Sequence, residues 1–240
     1  MLLAESAGYL RLRRELLNGS YLPGQRMSSR GLARKLGITR PQVRTALRQM
    51  IKEGLLRAVP QSGVYLRRAS REHTEHICQM REAIEPSAAK WAARRITPQQ
   101  IRALQGICDQ LREIELEFKA SGRKYPSEET LRRISRLDLR FHLSVIRASG
   151  NPLAYRTIRN FQVLSTVFGV NRELPSKPEA VDLGAYCRWH TLMAQAIERG
   201  DGEFAKSLME QHVAQATKRA LGSFEGQDDA VSTRVKAQTD

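Results

Sequence analysis

Residues 28–56 constrain the fold more than any other segment, because they carry the start and stop signals of two consecutive helices. Apolar residues at helical spacing run up to Gly37, and glycine commonly ends a helix. Thr39 can then cap the next helix, and Pro41 falls in its first turn, where a missing N–H is harmless. The segment therefore predicts two helices joined by a glycine turn.

The second of these helices has a basic edge. Arg40, Arg44 and Arg48 follow at intervals of four residues, so they share one flank of the helix. A helix of this kind, preceded by a short helix and a turn, suits insertion into a DNA major groove. The alternative is a solvated charged face on an ordinary helical hairpin. The arginine spacing alone favours that alternative, and the flanking segments reverse the preference.

Those flanking segments complete a recognisable unit. Residues 5–18 are amphipathic and predict a helix before the hairpin. Residues 55–59 and 63–67 predict two short strands around the turn Pro60–Ser62. Three helices followed by a β-hairpin form a winged helix-turn-helix, whose basic wing can reach a neighbouring groove.

The distribution of charge supports a nucleic-acid partner. The chain of 240 residues has a net charge of +15, and residues 1–70 contain 14 basic and three acidic side chains, a net charge of +11. Such an uneven distribution is typical of nucleic-acid binding. Basic amphipathic segments can also lie on anionic membranes. Here the basic residues are placed among the turns and caps of a compact unit, which favours DNA.

Four segments between Leu12 and Leu66 resemble the DNA-binding domain of the GntR family of bacterial transcriptional regulators: LLNGSYLPGQRM, LARKLGITR, VRTALRQMIKEGLL and VPQSGVYL. The resemblance implies that the domain binds double-stranded DNA. It implies that Arg30, Arg40 and Arg44 contact phosphates or base edges. It further implies that Thr39 holds the DNA backbone and that Gly63 lets the wing approach closely.

Two positions near this surface depart from the family pattern. Gln42 stands where the family usually has proline, and Thr45 stands where an acidic residue is common. We include Gln42 among the predicted DNA contacts. The operator sequences of relatives are not transferable to this chain.

The remainder of the chain predicts a second, all-helical domain, so the fold class is mainly α. We place the winged helix at residues 1–69, a polar linker at 70–75, a helical bundle at 76–221 and a disordered tail at 222–240. Three unevenly spaced cysteines argue against a disulfide framework and for a reducing compartment. No segment has the length of a membrane span, and we expect a cytoplasmic protein without a membrane partner.

Four residues of the second domain could bind a metal ion. Asp138 and His142 are four residues apart on one helix, and His190 and His212 lie in later helices. Inward side chains from several helices of a bundle can converge on one ion. Imidazole and carboxylate groups suit zinc first, with nickel, manganese or iron as alternatives. On composition alone, scattered histidines are more often satisfied core residues.

Three further segments resemble the FCD effector-binding domain of the FadR-type subgroup: DLRFHLSVIRASGNPL, WHTLMAQAIERGD and AKSLMEQHV. The resemblance implies that Asp138, His142, His190 and His212 bind a divalent metal ion. It also implies a small organic acid as effector, in contact with that metal. Arg81 could hold the carboxylate of the effector in a bidentate manner. An arginine at the surface, or one paired with Glu85, is an equal alternative.

Together these features predict a metabolite-responsive transcriptional regulator rather than an enzyme. We expect a homodimer on a palindromic operator. A metal-dependent hydrolase is one alternative, because an open metal site can activate water. The chain lacks the HExxH and clustered acid motifs that such an enzyme would use. The second alternative is a DNA-binding protein whose metal ion has a purely structural role.

Overall fold

The computed structural model describes residues 6–17, 20–68, 70–167 and 182–236. Over these residues the fold is mainly α-helical, which confirms the predicted class. The chain divides between Ser70 and Arg71 into two compact units. The N-terminal unit holds the described residues up to Ser70 together with residues 162–167. The C-terminal unit holds residues 71–161 and the described residues from Asp182 onward.

The N-terminal unit is a winged helix-turn-helix, as predicted. Its elements are α1 (Ala7–Leu17), α2 (Ser29–Leu36), α3 (Arg40–Lys52), β1 (Leu56–Val59) and β2 (Gly63–Leu66). The chain ends α2 at Gly37, which adopts the left-handed conformation with φ 63° and donates its N–H to the carbonyl of Ala33. Strands β1 and β2 pair antiparallel, with Leu56 opposite Leu66 and Val59 opposite Gly63.

Apolar residues from every element of this unit form its core. They include Tyr9, Leu12, Leu16, Leu32, Val43, Leu47, Met50, Leu56 and Leu66, each at most 3% exposed. On α3, the buried residues share one face and leave the opposite face to polar side chains. The core thus fixes which side of α3 is presented to solvent.

The C-terminal unit is a bundle of six helices within the described residues. They are α4 (Arg71–Arg95), α5 (Pro98–Ala120), α6 (Glu128–Ala148), α7 (Pro152–Val167, in this unit up to Phe161), α8 (Leu183–Glu198) and α9 (Gly202–Lys236). Helix α4 packs against α6, α8 and α9, and α5 packs against α6 and α8. Residues such as Phe141, Val145, Met193, Ile197 and Met209 fill the space between these helices.

Two helices of this unit extend into segments for which the sequence predicts a linker and a disordered tail. Residues 71–75 of the predicted linker are helical and belong to α4, because these five residues include no glycine or proline and Thr74 is buried. Helix α9 is described to Lys236, and disorder of residues 222–240 stays a prediction. The segment contains no proline, and a glycine such as Gly222 weakens a helix without ending it. Residues 237–240 lie outside the described residues.

Among the described helices, none combines the length and hydropathy that a membrane span requires.

Candidate metal centre and DNA-binding surface

The exposed face of α3 carries the arginines that the sequence assigned to DNA. Arg40 and Arg44 are both exposed, and Arg30 is exposed in the first turn of α2. Thr39 caps α3, and its Oγ1 accepts a hydrogen bond from the backbone N–H of Gln42. The N-terminus of α3 is therefore fixed in position, and its partial positive charge adds to that of the arginines.

Gln42 and Gly63 have local structural roles. The Oε1 atom of Gln42 accepts from the backbone N–H of Thr39 at 2.9 Å, which completes a capping box. Gly63 has φ +123°, and a Cβ atom there would lie 3.0 Å from Nε of Arg26. Only glycine suits this backbone conformation and this close contact. Contact of either residue with DNA stays a prediction.

Four side chains from three helices of the C-terminal unit converge on one point. Asp138 and His142 come from α6, His190 from α8 and His212 from α9. One potential ligand atom from each lies within 4.8 Å of all the others. Oδ1 of Asp138 is 3.1 Å from Nε2 of His190 and 3.5 Å from Nε2 of both His142 and His212. Asp138 and His142, which are four residues apart on α6, thus lie close to His190 and His212 in space.

The outer ring nitrogens of two histidines are held by acceptors. Nδ1–H of His142 donates to Oε2 of Glu85 at 2.5 Å, and Nδ1–H of His190 donates to the carbonyl of Tyr186 at 2.9 Å. In a neutral imidazole with a proton on Nδ1, Nε2 is an acceptor only. When each ring has its only proton on Nδ1, both Nε2 lone pairs face the carboxylate of Asp138, itself an acceptor, so a proton or a metal ion is needed between them.

This arrangement fits a metal ion. Nε2 of His142 is fully buried and has no hydrogen-bond partner, and a buried polar atom without a partner is costly. In a tetrahedral site, ligand atoms about 2.0–2.2 Å from a zinc ion lie roughly 3.3–3.6 Å from one another. The distances from Asp138 to the three histidines are 3.1, 3.5 and 3.5 Å. The donor set of three imidazoles and one carboxylate is one that zinc and related ions accept.

The charges around the centre shift the pKa values of its members. Burial alone would raise the pKa of Asp138, but the three surrounding imidazoles hold it well below its usual range. Burial alone would lower the pKa of His142, but the carboxylates of Glu85 and Asp138 raise it to about 9. Burial lowers the pKa of His212 to about 4, against the opposing effect of Asp138. The carboxylates of Asp138 and Glu85 therefore stabilise positive charge at His142.

Sequence reasoning missed two residues that contact the centre. Glu85 on α4 binds His142, and the hydroxyl of Tyr186 on α8 donates to Oδ1 of Asp138 at 2.5 Å. Arg81 is buried, and its Nε donates to Oε1 of Glu85 at 2.6 Å. Arg81 is thus paired with Glu85, and its contact with an effector stays a prediction. The sequence contains a signal for Glu85 and Arg81, because both share a helical face with the apolar residues that α4 buries.

Comparison with known families identifies both units. The family described as "Bacterial regulatory proteins, gntR family" matches residues 6–66. The FCD domain matches residues 76–215. The chain belongs to the GntR family, and its C-terminal unit is an FCD domain. This GntR-family protein is a transcriptional regulator and not an enzyme, and the hydrolase alternative is not favoured.

Individual relatives agree with this assignment. The chain is 26% identical over 211 residues to the HTH-type transcriptional repressor RspR of Escherichia coli, covering 88% of this chain and 86% of that protein. It is 27% identical over 216 residues to an E. coli protein provisionally named L-lactate dehydrogenase operon regulatory protein, covering 82% and 76%. The structure of E. coli McbR/YncC has the same fold, with a TM-score of 0.71, 20% identity and coverage of 91% and 99%.

Proposed function

We propose that this regulator binds a palindromic operator as a homodimer and that a carboxylate effector, in contact with a divalent metal ion in the FCD domain, controls that binding. Zinc is the first candidate metal. The observation that carries the proposal is the convergence of Asp138, His142, His190 and His212, whose potential ligand atoms lie within 4.8 Å of one another. A protein with this role would work in the cytoplasm, where the DNA is.

The DNA-binding part of the proposal rests on the exposed face of α3. Arg40 and Arg44 are exposed there, next to the capped N-terminus of the helix. A recognition helix usually reads bases with residues of its first turns. Two such helices related by a two-fold axis would fit a palindromic operator. Arg30, Thr39, Gln42 and Gly63 would contribute contacts around them.

The metal part rests on charge and on donor chemistry. The three histidines and Asp138 would hold the ion, and the bound ion would supply positions at which an anion can bind directly. One protein carboxylate neutralises only part of the charge of a dication. Glu85 adds no further net charge, because Arg81 is paired with it. A net positive centre favours an anionic effector over a neutral analogue of equal shape.

A relative suggests the first effector to test. The E. coli protein of 27% identity carries the name of the L-lactate dehydrogenase operon. L-Lactate is a 2-hydroxy carboxylate, whose two neighbouring oxygens can both reach one metal ion. We therefore propose small 2-hydroxy acids as the effector class to screen first.

The experiment is a thermal-shift screen on zinc-loaded and metal-free protein. The panel contains L-lactate, other small carboxylates and lactamide, which is the neutral match of lactate. A carboxylate that raises the Tm of the zinc-loaded protein alone supports the proposal, because a binder of the native state stabilises it. The same compound must then change the affinity for a genomic DNA fragment selected by the protein. Equal shifts with and without zinc would contradict a metal-bound effector.

A further inference from the structure

A buried chain of three charged or polar side chains leads from α4 to the candidate metal centre. Nε of Arg81 donates to Oε1 of Glu85 at 2.6 Å, and Oε2 of Glu85 accepts from Nδ1–H of His142 at 2.5 Å. Glu85 and His142 are completely buried, and Arg81 is 7% exposed. Each oxygen of Glu85 therefore has its own partner.

Stability alone is a weak explanation for this chain. Replacing a buried ion pair by well-packed apolar residues is often neutral or stabilising, because both charges must lose their hydration. The surroundings of Glu85 on α4 are apolar, with Ala88 and Ala89 fully buried in the next turn. An apolar side chain at position 85 would continue this face. The presence of a carboxylate at position 85 is better explained by its hydrogen bond to His142.

The two ends of the His142 ring explain that effect. In the neutral ring that a metal ion requires, hydrogen bonding to Glu85 keeps the proton on Nδ1 and leaves the lone pair on Nε2 for the ion. His190 is oriented in the same way, but its Nδ1–H donates to a backbone carbonyl, that of Tyr186. For His142 the orientation depends on a side chain. The orientation of the His142 ring can therefore be changed by substituting Glu85.

We propose that Glu85 is a positioning residue for the metal centre, which fixes the tautomer and ring orientation of His142, and that Arg81 holds Glu85 in place. This inference rests on the proposed metal-binding function. Carboxylates that accept from the outer nitrogen of a ligating histidine commonly change metal affinity by about 10–100-fold. Arg81 also balances the charge of Glu85, so the positioning carboxylate does not neutralise the bound ion. Arg81 then acts through Glu85 rather than on the effector.

The test compares three variants of the full chain. Glu85→Gln keeps the size of the side chain, but its amide can donate to Nδ1 and so favour the tautomer that does not bind metal. The double variant Arg81→Met with Glu85→Gln removes both charges together, which avoids leaving a buried arginine unpaired. Glu72→Gln removes an exposed carboxylate from the first turn of the same helix and is the matched control.

Three measurements separate positioning from folding. Zinc affinity is measured by competition with a chromophoric chelator, the visible absorption of the cobalt(II)-loaded protein reports ligand geometry, and thermal unfolding of the metal-free forms reports stability. We expect both Glu85 variants to bind zinc about 10–100-fold more weakly and to change the cobalt(II) spectrum. The metal-free double variant should melt close to the wild type, and Glu72→Gln should match the wild type throughout.

Wild-type zinc affinity and an unchanged cobalt(II) spectrum in the double variant would overturn the inference, even if Glu85→Gln alone is unstable. That result would mean that Glu85 only neutralises Arg81. Failure of the wild type itself to bind zinc or cobalt(II) would overturn the proposed metal-binding function, and this inference with it. The two failures are therefore distinguishable.

Discussion

Oδ1 of Asp138 on α6 lies 3.1 Å from Nε2 of His190 on α8, although the two residues are 52 positions apart in the chain. Nδ1–H of His190 donates to the carbonyl of Tyr186, so a ring without a second proton directs a lone pair at the carboxylate. Two acceptors at this distance repel each other unless a cation lies between them. The relationship favours a proton or a metal ion between α6 and α8.

Metal binding should release a proton and should weaken as the pH falls. The neighbouring carboxylates raise the pKa of His142 to about 9, so this ring is protonated at neutral pH in the metal-free protein. Ligation requires the neutral ring, and the proton competes with the metal. The apparent zinc affinity should therefore fall by about tenfold for each pH unit below 9 through this group alone. Calorimetry at pH 6.5 and 8.5, in buffers of different ionisation enthalpy, measures both effects. Equal affinities at the two pH values would contradict this prediction.

Much of the fold could be predicted because its signals are local. Thr97 and Gln100 form a capping box at the start of α5, and Gly37 ends α2 in the left-handed conformation. The helix bounds that differ from the predicted segments depend on packing and on residues that weaken a helix without ending it. Thr74 is buried within α4, and Gly222 lies within α9 without ending it.

The candidate site could be predicted only in part. Asp138 and His142 share a helix, so their spacing in the sequence directly indicates a common face. Glu85 is 57 positions from His142, and Tyr186 is 48 positions from Asp138. No local pattern records such contacts, because they arise from the packing of α4 and α8 against other helices. For the same reason, the sequence does not decide which residue pairs with Arg81.

Arg44→Ala should weaken DNA binding. Arg44 is exposed on α3, where a recognition helix would meet the major groove. The expected loss is about 1–3 kcal/mol if the guanidinium reads a base. Fluorescence anisotropy with a labelled operator duplex at fixed salt measures the change. The control is Arg112→Ala, which removes one exposed charge from α5 of the FCD domain. A loss of equal size in both variants would show only a general effect of charge.

Thr39→Ala should loosen the start of α3. The hydroxyl of Thr39 accepts from the N–H of Gln42, and loss of such a cap commonly costs about 1 kcal/mol. Hydrogen exchange at the amides of Gln42 and Val43 should become faster, while exchange in the FCD domain stays unchanged. Thr39→Ser retains the hydroxyl and should behave like the wild type. Unchanged exchange in Thr39→Ala would show that the cap is not stabilising.

Effector and operator should weaken each other to the same extent. Coupling between two binding sites is reciprocal and commonly amounts to about 1–3 kcal/mol. If the thermal-shift screen selects L-lactate, operator DNA should lower the affinity of the zinc-loaded regulator for L-lactate by some factor. L-Lactate should lower the affinity of the regulator for the operator by the same factor. Calorimetric titrations with the operator duplex, with a scrambled duplex and without DNA measure this factor. Identical lactate affinities in all three would mean that the metal centre does not control DNA binding.

The metal content of the purified protein tests the central claim most directly. The wild type and two variants, His190→Ala and the control His76→Ala, are loaded with zinc, freed of excess ion by gel filtration and analysed by mass spectrometry. His190 is completely buried in the centre, whereas His76 is exposed on α4. We predict about one zinc ion per chain in the wild type and in His76→Ala, and much less in His190→Ala, because a ligand is lost. Full zinc content in His190→Ala, or none in the wild type, would contradict a metal centre at Asp138, His142, His190 and His212.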